Sequence, residues 1–395
     1  PGDSTQEQTE DLLNEFERRS DNFRYRFIDP ELNRSLAVQY NVTQYPAIVF
    51  EEMTDGTRQG ILQFNEQNFV TGILVATGID QKRVVYLTGH DEPGITRDPI
   101  GGGIQDDGFD FVFEGLRRDN YRVDALNLQQ FQVVPQDVAV LLIAGPRQDL
   151  TSDEAAALTE YLERGGNVVA LFDPDPPQSF VDLLTPWGAT VAKESVADAV
   201  SNVAGEALTP LVQDANAQFV SSANLGITDQ IDVVFFPDAT AISSVRDPVD
   251  MPAHTRFAAL ARSTPASWLE SDPENVRFDP ESEPLGPFAV VAVLESQGTM
   301  DNPNFTVPAT RFIIFGDSDF ARNRFFFSND NADFLLNSVN WLAEDFDLIS
   351  IRPKVFPLRE LIVNTRERDF IKWSSWFFPP LVMILLGAYV WWRRR

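Results

Sequence analysis

The chain has 395 residues and a formal charge of −28, from 59 acidic and 31 basic side chains. So acidic a body does not bind nucleic acid through phosphate contacts and avoids anionic lipid surfaces. It contains no cysteine, which removes disulfides, thiolate metal sites and cysteine nucleophiles.

Taken in chain order, residues 1–64 read as a first unit with the order α-β-α-β-β. Leu12, Leu13 and Phe16 share a helical face. Phe23, Tyr25 and Phe27 alternate with Arg24 and Arg26, which predicts a strand. Asp29-Pro30 turns the chain, and Leu32, Leu36 and Tyr40 recur at helical spacing. A short strand over 47–50, a hairpin signal at Asp55-Gly56 and a returning strand over 60–64 complete the unit. Residues 65–80 read as a connecting helix with Phe69, Ile73 and Leu74 on one side.

Residues 81–350 alternate strands and helices, the pattern of a doubly wound, largely parallel sheet. The strands over 84–87, 138–144, 168–172 and 311–315 are continuous apolar runs, as expected where both faces of a sheet are covered. Helices are predicted over 109–118, after a cap at Thr151 or Ser152 with Glu154 in the first turn and Ala155, Leu158 and Leu162 along it, and over 331–342. A less regular strand runs over 121–126. Gly165-Gly166 stops the second helix. Residues 190–310 are rich in Asp, Pro and Ser, with isolated strands such as those at 233–236 and 288–294; they read as sheet continuation plus insertions.

Three apolar strands end in short polar turns: Thr88 to Glu92, Asp173 to Asp175, and Asp317 to Asp319. In open α/β sheets ligands bind in the crevice beyond the carboxyl ends of the strands. His90, Glu92, Asp173, Asp317 and Asp319 are therefore candidate ligand-binding residues. Turn and cap chemistry accounts for the same residue types, since Asp, Ser and Gly favour such turns. No catalytic residue is assigned: the chain has two histidines, and Gly-x-Ser-x-Gly, His-Glu-x-x-His and a Walker lysine loop are all missing. No cofactor and no metal set is read from the spacing. Gly101-Gly102-Gly103 reads as a mobile loop, and Asn329-Asp330-Asn331 as a helix cap rather than a calcium loop.

After a linker over 351–372, residues 373–392 are free of charge, with Ser374 and Ser375 the only strongly polar side chains. Twenty helical residues span about 30 Å, the thickness of a bilayer's hydrocarbon core. Trp373 and Trp376 at one end, and Trp391 and Trp392 at the other, suit the two membrane interfaces. Pro379-Pro380 shortens the regular helix. Arg393 to Arg395 form a basic tail, which places the C-terminus in the cytoplasm and the bulk of the chain outside. The first residue is Pro1, and a removed segment or N-terminal anchor before it is expected.

Two resemblances add to this reading. "DPELNRSLAVQYNVTQYPAIVFE", from Asp29 to Glu51, resembles the second half of a thioredoxin fold, which implies a cis Pro46 as a structural residue. The redox Cys-x-x-Cys of that family is missing, so a scaffold or binding role remains. "VVYLTGHDEP" (from Val84), the run from Val134 to Pro174, "FIIFGDSDFARN" (from Phe312) and "NADFLLNSVNWLAED" (from Asn331) together resemble the GldG-like auxiliary components of gliding-motility-type ABC transport systems. That resemblance implies an amidotransferase- or flavodoxin-like α/β domain outside the bacterial cytoplasmic membrane, between two membrane helices. It also implies an ABC permease and ATPase as partners. The expectation is a non-enzymatic accessory subunit; a binding module for a cell-envelope glycan or small ligand is the alternative, and a degenerate hydrolase the third reading.

Overall fold

A computed structural model describes residues 4–344 apart from 21, 31, 41, 43–45, 54–57, 62–65, 78–80, 96–103, 221–225 and 248–249; beyond 344 it describes 370, 372–374, 376–378, 380, 383, 393 and 394.

The first unit contains α1 (Ser4–Arg19), α2 (Arg34–Gln39), β1 (Ile48–Glu51), β2 (Arg58–Ile61) and α3 (Glu66–Ala76). β1 and β2 form an antiparallel hairpin whose tip, with Asp55-Gly56, lies outside the described residues. Leu13, Phe50, Phe69 and Ala76 make a small core. The strand expected over 23–27 does not form. Its side chains alternate, and Phe23 and Tyr25 pack on the small core, but no neighbouring strand takes up its backbone groups among the described residues. Tyr25 is held instead by its hydroxyl, which donates to Asn14 Oδ1 at 2.8 Å. The Tyr45–Pro46 bond falls outside the described residues.

The main body alternates β3 (Arg83–Thr88), α4 (Asp110–Arg118), β4 (Arg122–Asn127), α5 (Leu128–Phe131), β5 (Val138–Ala144), α6 (Ser152–Glu163), β6 (Asn167–Leu171) and α7 (Gln178–Leu184). Then come β7 (Ala189–Asp198), β8 (Asn202–Val203), β9 (Glu206–Gln213), β10 (Val233–Phe235), β11 (Thr240–Ser244), β12 (Thr255–Arg262), β13 (Ser267–Glu270) and β14 (Ala289–Ser296). The body closes with β15 (Thr310–Phe315), α8 (Asn323–Phe326) and α9 (Asn331–Leu342). Ten strands share one sheet in the order β13-β7-β11-β14-β15-β6-β5-β3-β4, with β12 paired to β14. The five strands from β15 to β4 run parallel. The antiparallel strands drawn from residues 189–296 extend the sheet on the other side. A second sheet, β10-β9-β8, lies beside it.

Strand alternation sorts the core into two layers. Val84, Tyr86, Val140, Leu142, Val169, Leu171, Ile313 and Phe315 face α4 and α9. Val85, Leu87, Leu141, Ile143, Val168, Ala170, Phe312 and Ile314 face α6 and α7. Both faces are covered, which is why these strands read as unbroken apolar runs; each fully buried Leu, Ile, Val or Phe contributes roughly 1.5–3 kcal/mol. The helix after β3 and the helix after β5 lie on opposite faces, so the winding reverses between these adjacent strands.

Asp330 stands at the start of α9 but does not cap it with its side chain. Its Oδ2 accepts instead from Asp232 N (2.8 Å) and Val233 N (3.0 Å), fastening β10 to this helix. Gly101-Gly102-Gly103 lies outside the described residues. No helix among the described residues is long and apolar enough to cross a membrane. Most of 373–392, including Trp391 and Trp392, lies outside the described residues; Trp373 and Trp376 are described, helical and exposed.

Candidate functional site at the carboxyl edge of the parallel strands

Parallel pairing puts the ends of β3, β5, β6 and β15 at one edge. Register does the finer positioning. Leu171 pairs with Phe315 across β6 and β15, so Asp173 and Asp317, each two residues further on, emerge side by side. Asp319 follows in the same turn. The three carboxylates bring oxygens within 4.8 Å of one another.

Each of these carboxylates is fixed by its own partners. Asp173 Oδ1 accepts from Ser318 N at 2.8 Å, and its Oδ2 meets Arg147 Nη2 at 3.2 Å. Asp317 is fully buried; its oxygens accept from Asp319 N (2.7 Å) and Phe320 N (3.3 Å), and it has no ion-pair partner among the described residues. Asp319 pairs with Arg322 Nε and, at 3.3 Å, with Arg324 Nη2. Arg324 Nη1 also reaches Asp107 at 3.3 Å, which ties the loop before α4 to this turn. Burial first, then the charges of Asp173 and Asp319, holds the Asp317 carboxyl well above the usual carboxylate range. Burial and Asp173 also raise Asp319, against the pull of Arg322. On the loop before β11, Asp238 accepts from Ser195 Oγ at 2.6 Å; desolvation and the charge of Asp173 raise its carboxyl.

His90 and Glu92 belong to a different arrangement. Glu92 folds back so that its Oε2 accepts from Gly89 N (2.9 Å) and His90 N (2.7 Å). The His90 ring lies between Glu92 Oε1, 3.0 Å from Nδ1, and Glu154 Oε1, 3.3 Å from Nε2. All three side chains are at most 2% exposed. The ring also stands edge-on to Phe180, in the layer under α6 and α7. Glu154 accepts from Thr151 N (2.9 Å) and Thr151 Oγ1 (2.7 Å) in a capping box, so the same side chain starts α6 and anchors the histidine. Burial opposes a charge on His90, but Glu92 and Glu154 outweigh it and raise its pKa; Glu154 is lowered, its hydrogen bonds from Thr151 and His90 overcoming burial.

The five sequence candidates therefore fall into two groups. Asp173, Asp317 and Asp319 converge at the crevice. His90 and Glu92, in the turn after β3, sit two strands from β6, about 10 Å away, and are packed inward rather than towards the crevice. The groups are linked through Arg147: its backbone N–H donates to the His90 carbonyl at 2.8 Å and its guanidinium reaches Asp173. This link lies between β3 and β5, where the winding reverses, the position at which open α/β sheets receive ligands. Sequence reasoning missed Arg147, Glu154, Asp238, Ser318, Arg322 and Arg324. Glu154 carried a signal, its capping position; Arg322 and Arg324, three and five residues past Asp319, carried another. Asp238 carried none, because a loop 65 residues from Asp173 has no local mark of its destination.

A family model described as "ABC-type uncharacterized transport system" matches residues 81–338, more than half of the chain. The chain belongs to this family. It is an auxiliary component of an ABC-type transport system, and that role implies other subunits of the system as partners. The matched span begins just before β3 and ends inside α9, so it contains every carboxylate and arginine described above. No curated protein matches the sequence. Among solved structures, the mmIFT52 N-terminal domain is 14% identical, with 66% of this chain and 97% of that chain covered and a TM-score of 0.45. A cytoplasmic protein from Salmonella typhimurium is 10% identical, with coverage of 66% and 98% and a TM-score of 0.35. An exo-beta-1,4-mannosidase from an Opitutaceae bacterium is 14% identical, with coverage of 68% and 36% and a TM-score of 0.31. All three scores lie below the level at which a shared fold is established.

Proposed function

We propose that this auxiliary component is a non-catalytic subunit whose bulk lies outside the cytoplasm, held in the bacterial cytoplasmic membrane by residues 373–392 with its C-terminus inside. Its anchor packs against an ABC permease, and the carboxyl edge of its parallel strands receives a ligand or a partner outside. The observation that carries the non-catalytic reading is His90: both ring nitrogens face buried carboxylates and the ring is packed inward, so this imidazole does not serve the crevice as a base. The anchor is supported by the uncharged run over 373–392 and by exposed helical Trp373, Trp376, Phe377 and Phe378. The resemblance to GldG-like proteins supports a gliding-motility-type system as the setting.

Affinity purification of the full chain from membranes in mild detergent tests this reading. A permease and an ATPase of one ABC system are expected in the eluate; a chain that always purifies alone counts decisively against it. A second reading, a binding module for a cell-envelope glycan, is favoured by the mixed Asp–Arg lining of the crevice. It would use Asp173, Asp319 and Arg147 rather than His90 and Glu92. A glycan array blank for the wild-type chain would remove it.

A further inference from the structure

We propose that Asp173, Asp317 and Asp319, together with the hydroxyl of Ser318, form a binding site for a hard divalent cation such as Ca2+ or Mg2+. This inference does not depend on the transport role or on the membrane topology.

Acidic turns are common, and three carboxylates alone do not make a site. A second, independent observation points to a ligand. Ser318 is fully buried, and its Oγ has no hydrogen-bond partner among the described residues. A buried hydroxyl without a partner costs about 1–3 kcal/mol, so its retention needs an explanation. The hydroxyl lies beside Asp173, a member of the acidic cluster. A Cβ placed on Gly145 would lie 2.6 Å from Ser318 Oγ and 3.4 Å from Asp173 Oδ2, so both oxygens crowd against this glycine and a side chain there would displace the hydroxyl. Gly145 itself has φ +55°, a conformation that favours glycine.

The donor set decides the ligand class. It is all oxygen, three carboxylates and one hydroxyl, with no imidazole and no thiolate, and hard cations prefer that chemistry. The geometry agrees. A cation holding oxygens at about 2.0–2.6 Å places opposite ligands about 4–5 Å apart, and the three carboxylate oxygens lie within 4.8 Å of one another. The backbone holds the carboxylates in place: Ser318 N orients Asp173, and Asp319 N and Phe320 N orient Asp317 through one bond to each of its oxygens, and a carboxylate oxygen that accepts one hydrogen bond keeps a second lone pair for a cation.

Arginine is the competitor. The guanidinium of Arg147, whose side chain is 59% exposed, pairs with Asp173, and Arg322 and Arg324 pair with Asp319. Arg147 can swing into solvent when a cation takes Asp173. The arginines therefore hold the carboxylates in the absence of the ion and weaken its binding, which gives the inference a signature that a merely structural cluster lacks.

The test is titration calorimetry and thermal melting of the full chain in detergent after chelator treatment, with CaCl2 and MgCl2 as probes. Wild type should bind one equivalent of at least one of the two ions saturably at millimolar concentration or below, with a rise in melting temperature. Asp319→Asn should weaken this binding at least about tenfold. Arg147→Gln should strengthen it. Asp301→Asn, an exposed acid paired with Arg246, is the control for binding to the acidic surface at large and should leave the affinity unchanged. The inference is overturned if folded wild type binds neither ion saturably, if folded Asp319→Asn binds as wild type does, or if Arg147→Gln binds more weakly.

Discussion

His90→Leu removes the positive side of a buried Glu–His–Glu group and leaves Glu92 and Glu154 facing an apolar residue. Breaking a buried ion pair from one side costs about 3–5 kcal/mol. Here both carboxylates keep hydrogen bonds, Glu92 from Gly89 N and the residue-90 amide, Glu154 from Thr151 N and Oγ1. The cost should therefore fall near the lower end, about 3 kcal/mol, which corresponds to roughly 6–12 °C in melting temperature for a domain of this size. The sign of the pH dependence follows from the two shifts. The raised pKa of His90 means that its stabilisation is complete below its ordinary value of 6.5 and is lost as pH rises through the raised value. The lowered pKa of Glu154 means that its stabilisation is present above 4.5 and is lost as pH falls through the lowered value. The gap between wild type and His90→Leu should thus be widest between about pH 4.5 and 6.5 and narrow towards pH 9. Melting curves of both chains across this range measure it, and adding Glu154→Gln to His90→Leu should recover part of the loss by removing one buried charge. A gap under about 2 °C at pH 5.5, or one that widens towards pH 9, would refute the account of His90 as a buried imidazolium.

Gly316→Ala would place a Cβ 2.1 Å from Thr240 O, a backbone atom that cannot move aside without breaking the Thr240 N–Gly316 O contact between β11 and the end of β15. A loss of about 3 kcal/mol or more is expected, visible as a lower melting temperature and as faster amide exchange in β11. Asp330→Ala removes the acceptor shared by the Asp232 and Val233 amides. It should cost about 1–3 kcal/mol and speed amide exchange in β10 while leaving α9 helical, since Asp330 does not cap that helix.

How much was legible differs from element to element. Strands β3, β5, β6 and β15 were visible because burial on both faces demands apolar residues at every position. The start of α6 was visible because its cap is local, with Thr151 and Glu154 three residues apart. Strands β7, β9, β11, β12 and β13 escaped because their patterns mix buried and exposed positions without the unbroken apolar run of a central strand; what holds them is pairing with distant partners, such as Thr255↔Ser296 and Trp268↔Ala197. Residues 23–27 show the opposite failure: alternation is present, but a strand needs a neighbour, and none of the described residues supplies one.

The same division runs through the site. Sequence alone determined which residue types end the parallel strands, because Asp, Ser and Gly suit tight turns after apolar runs. It determined the two-sided burial of those strands and, through the uncharged run over 373–392, the ground for expecting a membrane anchor. Only the tertiary structure decided which turns meet. The register of β6 on β15 sets Asp173 beside Asp317, whereas the insertion of β5 between β6 and β3 moves His90 and Glu92 two strands away. The direction in which a histidine turns was likewise undecided along the chain. It depended on Glu154, 64 residues further on, reaching the far side of the ring from α6, the helix that covers the layer into which the ring turns. Strand order and layer are properties of packing between distant segments, and no local pattern of residue types encodes them.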